Sequence, residues 1–200
     1  MYCVLGVFVD LQPVAPSLRR ERHRRRLFDG LGVEKGAGPI GGPFNVWLRR
    51  PEPANLLQQV GSQVRFKSSP PARLNALAIL VTARHWTTQN EWFAHRRLAL
   101  AAGLDPQVAS DLASGLRPAN MHPDEALVHD FPHELHTTHG VSEATYAAVV
   151  ERFGEAGAMD LIAVNGYYTL VSMTLNVDRS PLPVGRRRRW RRLRPASGCA

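Results

Sequence analysis

Glu91 and His95 stand four residues apart in the stretch from Thr87 to Gly103. On a helix that spacing puts both side chains on one face, about one turn apart. Trp92 and Phe93 lie between them and would keep water scarce. A carboxylate beside an imidazole in a dry setting is a proton-transfer pair, because burial and a neighbouring charge together move the imidazole across neutrality. The same spacing also serves exposed helical ion pairs, so what surrounds the two residues decides between the readings.

His85, Trp86 and Asn90 gather just ahead of the pair. If the helix ending near His85 packs antiparallel to the one carrying Glu91, these side chains line a pocket at the junction, a placement suited to acid–base chemistry. Taken singly, His85 and Asn90 also suit helix ends. His129, His133 and His136 fall at i, i+4 and i+7, the spacing of a metal-binding face. Pro132 among them should bend or end the helix. With Asp130, Glu134 and His139 nearby, the group reads as a solvated polar face, and no metal is assigned. Tyr168, beside Tyr167, is either a core residue with a bonded hydroxyl or a substrate contact. There is no G-x-S-x-G, no internal cysteine and no glycine-rich phosphate loop after a strand. Cys3 and Cys199, the only cysteines, form no dithiol or zinc motif.

The elements needed to hold these residues all read as helices. Pro51 opens one with Leu56, Leu57, Val60 and Val64 on its buried face. Ala72 to His85 is apolar nearly all round and should be central. The Glu91–His95 helix stops at Gly103. Asp105-Pro106 caps a short helix that stops at Gly115. Pro123-Asp124-Glu125 opens another, with its acidic pair at the positive end of the dipole. Ser142 caps a helix ending at Gly154, and a last apolar helix covers about Ala158 to Val177, with Ala163, Gly166 and Ser172 suited to close contact. No period-two pattern appears. The class is all-α, about seven helices.

The net charge of +8 belongs to the ends. Thirteen of the 25 basic residues lie in Arg19–Arg26 and Arg186–Arg194, leaving 12 against 15 acidic residues in 27–184. Residues 1–26 therefore read as a basic extension, 27–183 as the domain, and 184–200 as an arginine-rich tail, the two ends being solvated and disordered. Trp190 in the tail has the chemistry to stack on a base or sit at a lipid surface, but no specific nucleic-acid or membrane partner is assigned. No apolar run approaches the roughly 18 residues of a membrane span. The arginines follow the apolar start instead of preceding it, the reverse of a secretory signal, so the cytoplasm is expected.

Gly42–Leu48 (GPFNVWL), Ala76–Arg84 (ALAILVTAR), Glu91–His95 (EWFAH), Val141–Tyr146 (VSEATY) and Gly166–Val171 (GYYTLV) together resemble the carboxymuconolactone decarboxylase family, over about residues 27–183. The resemblance implies an alkylhydroperoxidase D-like helical fold that assembles as trimers or hexamers, with its active site near subunit contacts. One branch of the family reduces peroxides through C-x-x-C-x-x-x-H; aligned on His95, Thr88 and Glu91 stand at those cysteine positions, so that dithiol chemistry has no thiol here. The decarboxylase branch carries a glutamate four residues before the histidine, as Glu91 does. Relatives also place a glutamate where this chain has Ala76.

On this reading His95 gives or shuttles a proton during decarboxylation, or another proton transfer, on a small carboxylated lactone or related carbonyl compound, and Glu91 orients it. Arg84 and Arg96, the nearest cations in sequence, would meet the substrate's carboxylates, with His85, Trp86, Asn90 and Tyr168 around them. No cofactor and no metal is called for. A non-catalytic oligomeric binding module of the same fold is the alternative. A peroxidase is the third reading.

Overall fold

The computed structural model describes residues 42–182 and Trp190. The expected basic extension, the glycine-rich segment before Gly42 and the rest of the arginine-rich tail lie outside the described residues. Within them every regular element is an α-helix. In chain order these are α1 (Pro43–Trp47), α2 (Pro51–Phe66), α3 (Ala72–His85), α4 (Gln89–Ala101), α5 (Pro106–Ser114), α6 (Pro123–Thr138) and α7 (Glu143–Asp178).

The α3 helix is the axle. Every residue from Leu74 to Ala83 is buried, and α4, α6 and α7 pack around it. Leu77, Leu80, Val128, Phe131, Leu161 and Leu175 are almost completely removed from water. Each large apolar side chain buried this way contributes about 1.5–3 kcal/mol. Polar contacts fix how the helices meet. Asn75 donates to the Val64 carbonyl (2.8 Å) and so ties α3 to α2. The fully buried Glu125 pairs with Arg73 of α3 and accepts from the His122 backbone N–H (2.8 Å). The acidic start of α6 is thus half a helix cap and half a clamp.

Helix ends follow local chemistry. Asp105 accepts from Gln107 N–H (2.7 Å) to start α5, which closes at Gly115 in the left-handed conformation. Ser142 accepts from Thr145 N–H (3.3 Å) to start α7. The expected break at Gly154 is present: at φ 72°, ψ 172° this residue adopts a conformation open essentially only to glycine, and α7 changes direction there. Pro132 does not end α6, which continues to Thr138. Val128, Phe131 and Pro132 are all buried, and that packing holds the helix together across the hydrogen bond the proline forfeits.

Two expectations about faces are corrected. Leu56 and Val60 of α2 are exposed, and the helix instead buries Ala54, Gln58 and Val64. Gly61 explains the choice. A Cβ there would sit 2.1 Å from the Tyr167 hydroxyl, so the missing side chain lets α7 approach α2 on that face. On α7, Ala163 and Gly166 point outward while Ser172 points in. No helix among the described residues is long and apolar enough to cross a membrane.

Candidate active site

The α3–α4 corner sets the position of the chemistry. Thr88 N–H bonds the Ala83 carbonyl (2.8 Å) and Trp92 N–H bonds the Thr88 carbonyl (3.0 Å), so the chain reverses within three residues. Thr87 takes a positive φ of 51° to do this, an uncommon conformation for a β-branched residue. Trp86 donates from its indole to Thr169 (3.2 Å), and its carbonyl accepts from Asn176 (2.8 Å). Asn90 donates to the Ser180 carbonyl (2.9 Å). Trp86 and Asn90 therefore lock the corner to the second half of α7.

From this corner α4 carries Glu91 and His95 inward. Their Oε2 and Nε2 atoms are 3.3 Å apart. His95 is 2% exposed and Glu91 7%. The Tyr168 ring meets His95 edge-on, with centroids 4.9 Å apart, and Tyr167 meets Tyr168 in the same way at 5.3 Å. Burial lowers the imidazole pKa from its usual 6.5, Glu91 works in the opposite direction, and the Arg65 guanidinium adds to the lowering. Burial pushes the Tyr168 phenol up, while Arg65, close enough to bond its hydroxyl, pulls it back. At neutral pH the centre holds a neutral imidazole, an intact phenol and a nearby cation. Trp92 is buried over the same helix face, and Trp190 packs edge-on against it with centroids 5.0 Å apart. Trp190 is thus partly buried and packs against the chain's own core.

Arg84 and His85 do not join this group. They line a cavity of about 290 Å3 between α3, α5 and α6, which does not include Glu91 or His95. Val81, Leu112 and Leu116 form its apolar wall, and His129, His133 and His136 reach it from α6. His85 stacks on His136 with centroids 4.7 Å apart, and His129 stacks on His133 at 5.7 Å. His129 is buried and His136 half-buried, while His133 and His139 are exposed, so the face of α6 expected to be solvated is wet only in part. The single pocket expected to hold His85, Trp86, Asn90, Glu91 and His95 is thus two regions, divided by α3. Among the described residues no three His, Cys, Asp or Glu side chains are arranged to hold a metal ion.

Arg96, the other cation expected to meet substrate, has a buried Nε with no hydrogen-bond partner. Arg65 was missing from the sequence reading. It lies on α2, thirty positions before His95, and only tertiary packing brings it near.

No protein-family model matches the sequence, and no curated protein matches it. Among solved structures, the chain is similar to an uncharacterized peroxidase-related protein from Ralstonia eutropha JMP134, described as an alkylhydroperoxidase AhpD core. The TM-score is 0.70 and the identity 20%, with 86% of this chain and 92% of that one covered. The fold is accordingly the all-helical alkylhydroperoxidase D-like one.

Proposed function

We propose that the chain is a cytoplasmic acid–base enzyme that moves a proton at a carbonyl-activated carbon of a small carboxylated compound, a lactone among the candidates. One observation carries the reading: a carboxylate and an imidazole 3.3 Å apart, both buried, in an apolar helical core. Burying such a pair costs more than it returns unless geometry and partners are excellent. Ionisable groups retained in that way are candidates for chemistry.

The lowered pKa of His95 assigns the direction of the first step. A neutral imidazole is a base. It takes the proton from carbon, the substrate carbonyl holds the electron pair as an enolate, and Glu91 stabilises the imidazolium formed. The imidazolium then returns the proton to carbon. In a decarboxylation no proton is taken from carbon first, so His95 would have to enter the reaction already protonated from solvent, with Glu91 beside it, and then protonate the carbon that loses carbon dioxide. Arg65 takes over from Arg84 as the cation for the substrate carboxylate, and Arg96 remains a second candidate.

The direct test incubates the full chain in deuterium oxide with a panel of carboxylated lactones and keto acids and follows loss of carbon-bound protons by NMR. Exchange or turnover that disappears in His95→Gln and Glu91→Gln, with melting temperatures held, supports the reading. A panel in which the wild type exchanges nothing ends it.

A second reading, a binding module without chemistry, draws on the closure of the centre: His95 is 2% exposed and Tyr168 covers it. Under that reading the pair is structural and the variants change only stability. Thiol-dependent peroxide reduction is the weakest reading, since Thr88 and Glu91 stand where the dithiol would be. A peroxidase assay without turnover fits this.

We further propose that the chain acts as a homo-oligomer. On the outer face of α7, Met159, Ile162, Leu170, Met173 and Val177 are all exposed. With Ala163 and Gly166 between them they form one helical stripe. An apolar stripe with small residues at its middle suits the same stripe on another copy. Ile162→Lys should reduce the assembly size seen by light scattering.

A further inference from the structure

The cavity between α3, α5 and α6 has features that the Glu91–His95 reading does not use. No carboxylate lines it. The nearest, Asp130, is already engaged: Arg117 donates to both its oxygens (2.9 and 2.7 Å), and His129 Nδ1 lies 2.7 Å away. Arg84 forms no ion pair among the described residues. Its Nε donates to the Ala113 carbonyl (3.2 Å), and its guanidinium lies over the Trp190 ring at 5.0 Å. With Arg117 neutralised by Asp130, the fixed net charge of the cavity is that of Arg84, and four imidazoles line it beside that cation.

The hydrogen bonds assign two of those imidazoles. Asn165 donates from Nδ2 to the Leu161 carbonyl (2.6 Å), so its Oδ1 is the atom facing Thr82. The Thr82 hydroxyl has one hydrogen, and it is spent on Asn165 Oδ1 (2.6 Å) or on the Ala78 carbonyl (3.1 Å). His136 Nε2, 3.1 Å from Thr82 Oγ1, must therefore donate. Neutral His136 then carries its proton on Nε2 and leaves Nδ1 as a bare acceptor. By the same logic the ionised Asp130 holds the proton of His129 on Nδ1 and leaves Nε2 bare. Each bare nitrogen can accept a proton without breaking an existing bond.

We propose that this cavity binds a small organic carboxylate and takes up a proton with it. The carboxylate meets the Arg84 guanidinium and the imidazole edges of His85, His133 and His136, while a short apolar body lies on Val81, Leu112 and Leu116. At about 290 Å3 the cavity falls at the lower end of the roughly 300–1,000 Å3 typical of small-molecule sites. Without ligand, His136, His85 and His129 disfavour charge. Burial, then repulsion from His85 and His133, lowers His136 to about 4. Burial, then His133 and His139, lowers His85. Burial lowers His129 against the pull of Asp130, with His133 and Arg117 adding to the lowering. An anion among them reverses the sign of their surroundings, so protonation and binding favour each other. The inference is independent of Glu91 and His95, and its test reads binding, not turnover.

The test titrates the full chain with benzoate by calorimetry at pH 5.5, 6.5 and 8.0 and follows the histidine ring protons by NMR. Benzamide is the uncharged control. Expected are millimolar or tighter benzoate binding, an affinity that falls as pH rises, proton uptake seen as a buffer-dependent heat, and no comparable binding of benzamide. Arg84→Gln should weaken binding about tenfold or more. His133→Glu changes an exposed position, and by placing a carboxylate at the cavity it should weaken binding at least as much. Failure of benzoate to bind, equal binding of benzamide, pH-independent affinity, or a folded His133→Glu variant with wild-type affinity would each overturn the proposal.

Discussion

The described residues hold two histidine regions, and burial lowers an imidazole pKa in both. Their partners differ. His95 sits against one carboxylate, which opposes the lowering and makes the charged form reachable. His136 sits among His85 and His133, which deepen it. One region is sealed and internally compensated, a setting for moving a proton and returning it. The other is open and uncompensated, a setting that waits for an anion. A histidine's exposure alone says little about its use; the sign of the group beside it says more.

Four measurements would break or sharpen this contrast. The largest effect is expected at the sealed pair: His95→Gln should lower turnover on any substrate found by about 10²–10⁴-fold. For wild type, kcat/KM should stay flat through neutral pH and fall only on the acid side of the ordinary imidazole range, as the base is protonated. A profile rising toward acid would instead mark His95 as an initial acid.

Next comes packing behind the sealed centre. Gly61→Ala puts a methyl group into the space held by the Tyr167 hydroxyl, and overpacking of this kind costs about 1–3 kcal/mol. Urea denaturation should show it, although alanine normally favours a helix.

The open region should then appear in the pH dependence of stability. His136 titrates near 4 when folded and near 6.5 when unfolded. The unfolded chain therefore binds more protons between those values, and stability falls as pH drops through that window. Above about 6.5 the loss is absent. Melting curves at pH 7.5 and 5.0 should differ less in His136→Gln than in wild type.

The smallest effect is expected at the cavity mouth. His133→Ala should leave stability within about 0.5 kcal/mol of wild type. A larger loss would mean that the open cluster is structural after all.

The helices were legible because their signals are local: Pro51, Asp105, Ser142 and Gly154 announce ends, and the apolar run from Ala76 to Val81 announces a central helix. The Glu91–His95 pair was legible for the same reason, being four residues apart on one element. What escaped notice depends on how helices rotate against each other. Leu56 and Val60 face outward because Gly61, not their own hydrophobicity, chooses the contact face. Arg84 and His85 are adjacent to the sealed pair in sequence, yet α3 turns them to its far side. The α6 histidines were read as wet because their neighbours Asp130 and Glu134 are charged. Those charges are consumed by Arg117 and by Ser142 and Thr145, which no spacing rule reports.

Trp190 has a last consequence. Its ring touches Trp92 beside the sealed pair, its carbonyl accepts from Gln89 at the start of α4 (3.1 Å), and its other contact is the guanidinium of Arg84. A single indole thus joins one wall of the cavity to the helix that carries Glu91 and His95, so a change at this ring is expected to disturb the packing on both sides of α3.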